Sequence, residues 1–258
     1  IRHFDQLIHD QSEEWLLEHF KKGADEYPIN VSLLIRNIIW QMRERVISKQ
    51  KPPLKELVRT FWYMHIKPTL ARVGALSLET DQYVQLVNSL VTLVKNWDLM
   101  QYSDIGFSDE NKANRQVGLN ANVIVFAEKV GHVDLLEEIA DKYSVSTIAF
   151  GGQPSVLNVE YFTKELKKKK INLNRSFFLF SIVDYDSSGW IIRDAFIDDL
   201  KHYGINNITC VDLVHPDMLT KQEIQASRFP IPDQGIMKKK NSDWLDEIKK
   251  ADYKNQNF

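Results

Sequence analysis

The sequence predicts an α/β protein: an N-terminal helical module, followed by a domain whose mainly parallel sheet is covered by helices. Three observations carry this. Over about the first hundred residues, apolar side chains recur at helical spacing. After about Ala121, short continuous apolar runs alternate with amphipathic stretches, the grammar of a parallel sheet buried on both faces. The chain has 258 residues, 43% apolar, 26% charged and 11% aromatic, so it is long enough to bury a core and too rich in aromatics to be disordered.

Each element has its own signal. Trp15, Leu16, His19 and Phe20 recur at helical spacing, and Val31 to Ile47 continues with Leu33, Leu34, Ile38, Ile39 and Val46 on one broad apolar face. Pro52-Pro53 breaks the pattern and is expected to open a further helix through Leu54, Leu57, Val58, Phe61 and Trp62. Asp81 caps a helix carrying Val84, Leu86, Val87, Leu90, Val91 and Val94. Short helices with a basic middle suit a helix-turn-helix or winged-helix (CAP-like) module, with Asp98–Gly118 as the strand and turn of a wing. Strands are then expected at Asn122–Ala127, Ser146–Phe150, Phe177–Val183 and Asn207–Leu213, with helices at Lys129–Tyr143, Val159–Lys170 and Trp190–Tyr203 between them. The expected domains are residues 1–118, helical and DNA-binding, and 119–258, the sheet domain with a C-terminal extension.

Composition narrows the function classes. The longest apolar stretches are far too short to span a bilayer, so no membrane association is expected. No charged-then-apolar signal segment opens the chain, although a start at Ile1 leaves processing or trimming open. A single cysteine, Cys210, rules out an internal disulfide and a zinc–cysteine cluster, and fits a reducing, intracellular compartment. The seven histidines show no paired ligand spacing and read as structural, with His65 a candidate phosphate contact; there is no Walker A or dinucleotide fingerprint. Net charge is −2, from 33 basic and 35 acidic residues, and argues against a polyanionic partner. Arg36 to Arg72 reverses that. Nine basic residues (Arg36, Arg43, Arg45, Lys49, Lys51, Lys55, Arg59, Lys67, Arg72) face only Glu44 and Glu56. Such a stretch is either a solvated helical face or a phosphate-binding one.

Three acids fall at the carboxyl ends of expected strands, where open parallel sheets bind ligands. Glu128 follows the first strand directly; Asp184 and Asp186 follow the third, in Asp184-Tyr185-Asp186-Ser187-Ser188-Gly189. Alternation in an extended segment points the two aspartates to one side. Three carboxylates suit Mg²⁺, a hard cation that prefers oxygen ligands, and not zinc. The plainer alternative is that Asp186 caps the next helix ahead of Gly189.

Ala127-Glu128-Lys129-Val130-Gly131, Gly152-Gln153-Pro154-Ser155 and Asp184 to Gly189 occur in that order on alternating strands and helices. Together they resemble the Toprim domain, in the version found in the A subunit of topoisomerase VI and its meiotic double-strand-break relatives: V-E-K, then G-Q-P, then D-x-D-P-x-G. Ser187 stands where the pattern has proline and Ala127 where it has valine. Upstream, Arg59-Thr60-Phe61-Trp62-Tyr63-Met64 resembles the family segment R-x-x-Y-Y-M-x-K, with Trp62 in place of the first tyrosine and Lys67 one residue late. The resemblance covers about residues 50–215, as in a reduced-length member.

The resemblance implies a winged-helix plus Toprim architecture and DNA strand cleavage by a tyrosine hydroxyl. Tyr63 is the implied nucleophile, with Arg59 and Glu128 as further catalytic residues, Mg²⁺ on Glu128, Asp184 and Asp186, and Arg36, Arg43, Arg45, Lys51, Lys55 and Lys67 on the DNA backbone. It further implies a homodimer acting on duplex DNA, a separate GHKL-type ATPase B subunit, and a location with DNA in the cytoplasm (nucleoid) or nucleus. A phenol with pKa near 10 is a poor nucleophile at neutral pH, so the cation at i−4 is the kind of help it needs. Two other functions stay open: a Toprim nuclease that activates water, and a non-catalytic DNA-binding or assembly subunit.

Overall fold

A computed structural model describes residues 11–21, 29–77, 81–152, 155–227 and 241–246. The chain divides into two compact units, 1–110 and 111–258.

The described part of the first unit is helical. Helix α1 (Glu13–His19) starts at Ser12, whose side chain accepts the Trp15 N–H, and α2 (Val31–Ile47) starts at Asn30, whose side chain accepts the Leu33 N–H. The apolar face of α2 (Leu34, Ile35, Ile38, Ile39 and Met42) is fully buried, as its spacing predicts. Next come α3 (Val58–Phe61), a π-helical turn (Trp62–Ile66) and α4 (Lys67–Arg72), in unbroken succession. A second succession joins α5 (Tyr83–Val91) to another π turn (Thr92–Asn96), and α6 (Tyr102–Ile105) follows.

Two expectations change here. Pro52-Pro53 does not open a helix; the helix begins at Val58. Backbone bonds hold the intervening residues to the chain after α6: Leu54 N–H to the Ile105 carbonyl (3.0 Å), Lys55 N–H to Gly106 (2.9 Å) and Ser108 N–H to Glu56 (2.8 Å). Lys55 takes a φ of 55°, outside the helical region. Gly106 is required: it ends α6 at φ 87°, and a Cβ there would lie 2.5 Å from the Pro53 Cβ. Secondly, Asp98–Gly118 is not a wing hairpin. It contains α6, a 3₁₀ turn at Lys112–Asn114 and the short strand β1 (Arg115–Gln116), which belongs to the second unit's sheet. The buried Arg115 guanidinium fixes it there by donating to Asn158 (3.0 Å) and Glu165 (2.7 Å). The boundary therefore falls earlier than the expected one after Gly118.

The second unit is the expected parallel sheet. Strands β2 (Asn120–Ala127), β3 (Val145–Ala149), β4 (Phe177–Ile182) and β5 (Ile208–Asp212) are mutually parallel, β1 is antiparallel at one edge, and the order is β1-β3-β2-β4-β5. Helices α7 (Val133–Tyr143), α8 (Val156–Lys168) and α9 (Ser187–His202) make the crossovers, and α10 (Lys221–Ser227) follows β5. On one face Ile124, Phe126, Ile148, Phe177 and Leu179 join Val159, Phe162 and Leu166 of α8 and Ile192, Phe196 and Leu200 of α9. The Phe196 ring lies 4.9 Å from both Phe126 and Phe150. On the other face Val125, Ala127, Val145 and Ala149 meet Leu136 of α7. β3 and the C-terminal half of β2 thus bury both sides, as their lack of alternation requires, whereas on the second face β4 leaves Phe178 and β5 leaves Val211 exposed. No helix of the described residues is long and apolar enough to cross a membrane.

Candidate functional site

The strand order makes β2 the switch point. Its crossover through α7 leads to β3 on one side, and the next, through α8, passes over to β4 on the other. Ligands bind at the carboxyl ends of the strands at such a point. Glu128 follows β2 and Asp184 lies just beyond β4, and these strands are neighbours with Ala127 opposite Ile182. The Glu128 N–H donates to the Ile182 carbonyl (3.1 Å), and the Asp184 N–H donates to Glu128 Oε2 (3.2 Å). The sheet thus brings Glu128 and Asp184 together. Asp186 instead caps α9, its Oδ1 accepting the Gly189 N–H at 2.8 Å, so the capping alternative is realised. Gly189 is what lets the turn close: a Cβ there would stand 2.1 Å from the Asp184 carbonyl oxygen.

A cation already sits at this edge. Lys129 Nζ is 2.7 Å from Asp184 Oδ2, both side chains being half exposed. The hydrogen bond and charge of Asp184 hold the Lys129 ammonium above its ordinary pKa, with smaller contributions from Glu128 and Asp186. Among the described residues no three carboxylate, histidine or cysteine groups are arranged to hold a metal ion. The donor chemistry nevertheless fits Mg²⁺, which is bound through one or two carboxylates while keeping waters and substrate phosphates. Glu128 and Asp184 offer hard oxygens side by side, and an ammonium shows that this edge accepts positive charge. Ser187, in the place of the pattern's proline, donates its hydroxyl hydrogen bond to Asn241. The helix at 241–246 is thereby tied to the start of α9, and Trp244 packs edge-on against Tyr185 (5.9 Å) and Trp190 (6.2 Å).

In the first unit, Tyr63 lies on the π turn with 48% of its surface exposed, whereas the neighbouring Trp62 is 6% exposed. Arg59 Nη2 approaches Tyr63 Oη at 3.5 Å, and its guanidinium lies 5.9 Å from the Tyr63 ring centre. Lys67 Nζ lies 5.3 Å from the centre of the same ring. The extra residue before Lys67 has a structural counterpart. Lys67 N–H bonds the Trp62 carbonyl, five residues back, so the helix takes in one more residue here and still brings Lys67 onto Tyr63. Pro68 is the local cause: it has no N–H to give Met64, and its ring disfavours an α turn at that point.

Tyr83, from α5, completes the group. The Arg59 guanidinium lies 5.2 Å from its ring centre, and Trp62 meets that ring edge-on at 6.2 Å. Burial pushes the Tyr83 phenol up, helped by Glu110, with Arg59 opposing. Tyr63 is therefore the more accessible of the two hydroxyls. Tyr83 escaped the sequence reading because a separate helix supplies it; Lys129 escaped it although a cation directly after a strand-end acid was a visible signal.

The six backbone-contact candidates differ in what they already touch. Arg43 clips α2 to α6 through Asp104 (3.1 Å), pairs with Glu44 (2.7 Å) and stacks on Trp40 (4.7 Å). Arg36 lies 5.1 Å from the ring of the exposed Trp97. Arg45 and Lys51 are half-buried, and Lys55 and Lys67 are exposed. His65 faces Glu56 at 3.6 Å, and its ring lies tilted against Phe61 at 4.9 Å. Burial, with Asp212, pushes the Cys210 thiol on β5 up to about 11, which disfavours the thiolate. Comparison of the chain with protein-family models, with curated proteins and with solved structures returned no match.

Proposed function

We propose that this protein is a DNA-cleaving transesterase of the topoisomerase VI A kind, joining a helical DNA-binding module to a Toprim domain. The observation that carries it is Tyr63: an exposed tyrosine whose hydroxyl is 3.5 Å from a guanidinium, with a second cation on its ring, in a stretch of chain rich in basic residues. Glu128 and Asp184 at the sheet's switch point support it from the second unit.

In the reaction, Tyr63 Oη attacks the phosphorus of a backbone phosphodiester. The P–O3′ bond breaks, the 5′ phosphate stays on Tyr63 as an ester, the phenol proton passes to solvent, and the leaving 3′ oxygen takes one up. Attack by the 3′ hydroxyl on the ester reverses the step. Arg59 favours the phenolate and holds the scissile phosphate. Glu128 and Asp184, with Asp186, would hold Mg²⁺, which when bound would supply charge neutralisation to phosphodiester oxygens. Duplex DNA is the substrate, which places the protein with cellular DNA in the nucleoid or nucleus. A second copy of the chain and a separate ATPase subunit are the partners.

Tyr63→Phe removes one oxygen and keeps the ring, so folding and DNA affinity should persist while cleavage falls by orders of magnitude. The measurement is denaturing electrophoresis of end-labelled DNA, with and without protease. A protease-sensitive 5′ adduct in the wild type, absent from the variant, is the expected result. Free ends from both proteins would instead make this a water-activating nuclease using the same acids.

A further inference from the structure

We infer that Tyr83 is a positioning residue for Arg59, acting through the guanidinium on the chemistry at Tyr63. The inference rests on the transesterase reading and adds to it a residue that lies outside the Arg59–Lys67 motif.

Arg59 stands on the exposed side of α3, where a long side chain has many rotamers and a guanidinium is strongly drawn to water. One hydrogen bond of 3.5 Å to Tyr63 Oη, at the outer limit of such contacts, cannot by itself hold it. Tyr83 supplies the second constraint. Its ring centre lies 5.2 Å from the guanidinium, within cation–π range, and the Tyr63 ring lies at 5.9 Å. Arg59 is thus bracketed by two aromatic rings from different helices.

The Tyr83 ring is itself held. Trp62, almost fully buried, meets it edge-on at 6.2 Å with an interplanar angle of 74°. The Tyr83 N–H is bonded to Asp81 Oδ1 at 3.1 Å at the head of α5, and Leu86 and Leu90 anchor that helix in the core. The order of support runs from the core through Trp62 to Tyr83, then Arg59, then the Tyr63 hydroxyl. Trp62 stands where the resembling pattern has tyrosine, and here it serves as the wall behind Tyr83. The ring does the work, so phenylalanine should serve at position 83 and an aliphatic residue should not.

The test uses the full-length chain with Tyr83→Phe, Tyr83→Leu, Arg59→Lys and the double variant Arg59→Lys/Tyr83→Leu. Two quantities are read: the rate of 5′ adduct formation at saturating DNA, and the Arg59 side-chain Nε–Hε resonance, assigned from its loss in Arg59→Lys. Tyr83→Phe should stay within about threefold of wild type in rate and keep a dispersed Arg59 signal. Tyr83→Leu should lose about tenfold or more in rate with DNA affinity unchanged, and its Arg59 signal should collapse to the position of a solvated arginine. In the Arg59→Lys background, Tyr83→Leu should cost little further, because coupled residues are not additive. Equal losses in both backgrounds, failure of Tyr83→Phe to rescue, or an Arg59 signal indifferent to Tyr83→Leu each overturn the inference. If the wild type forms no adduct at all, the transesterase reading falls, and the resonance alone still decides whether Tyr83 holds Arg59.

Discussion

Asp186 stands at a place where two jobs compete for one carboxylate. Its Oδ1 closes the N-terminus of α9 on the Gly189 N–H, and its charge lies near the Glu128–Asp184 edge. The two jobs separate by substitution. Asparagine caps as well as aspartate, so Asp186→Asn should keep stability, whereas Asp186→Ala should lose about 1 kcal/mol in urea unfolding. Both variants lose the charge, and both should bind Mn²⁺ several-fold more weakly if Asp186 is a ligand. Wild-type Mn²⁺ affinity in Asp186→Asn would leave it a cap alone. Lys129 provides the opposite case. An exposed ion pair contributes only about 0–1 kcal/mol, so the ammonium on Asp184 can be displaced at modest cost. Lys129→Gln should therefore tighten Mn²⁺ binding by a few-fold, and unchanged binding would show that the ammonium does not compete.

At the level of elements, the turn from β4 into α9 depends on one missing side chain. The Asp186 N–H folds back on the Asp184 carbonyl (2.9 Å), and Gly189 sits against that same oxygen. A methyl group at 189 would have to displace backbone, since its Cβ would be only 2.1 Å away. Gly189→Ala should cost about 2–3 kcal/mol by overpacking, read as a lower urea midpoint at unchanged slope. A loss below about 0.5 kcal/mol would mean the turn relaxes freely. The π turn at Trp62–Ile66 is the other element that sets a site. Its one extra residue keeps Arg59, Tyr63 and Lys67 on one side of the helix while Phe61, Trp62 and Ile66 stay buried.

For the whole molecule, net charge and local charge point in opposite directions. A formal −2 describes a chain in which one 37-residue stretch, 36–72, carries nine basic residues against two acids. Arg43 is already committed to Asp104 and Glu44, so it should matter more to folding than to binding. With Arg36, Arg45, Lys51, Lys55 and Lys67 as the remaining contacts, and Arg59 on the scissile phosphate, about four to six phosphates would be neutralised, and the log–log dependence of duplex-DNA affinity on salt should have a slope of about −4 to −5. A slope near zero would remove nucleic acid as the partner.

Much of this was legible in the sequence. Residues 120–212 carry local signals of high contrast: apolar runs such as Asn122–Ala127 (NVIVFA), too apolar for an exposed strand, and helices with one charged face. Their strand and helix positions follow from that contrast between apolar runs and amphipathic stretches. The placement of Glu128 and Asp184 at strand ends was equally readable. Pairing order was not, because nothing in a single strand states its neighbours; only the fold put β2 beside β4 and so Glu128 beside Asp184. The failures share that cause. Pro52-Pro53 has a good helix-start composition, yet backbone bonds to Ile105–Ser108 hold it extended, and Arg115, read as part of a wing, is drawn into the second unit by Asn158 and Glu165. The amino-acid sequence alone determined most strand and helix segments of residues 120–212, since these depend on side-chain type and local period, and it singled out the candidate residues at the strand ends. Only the tertiary structure decided which of those residues meet, because contacts across long chain separations, such as Arg59 with Tyr83 or Lys129 with Asp184, arise from packing that no local pattern encodes.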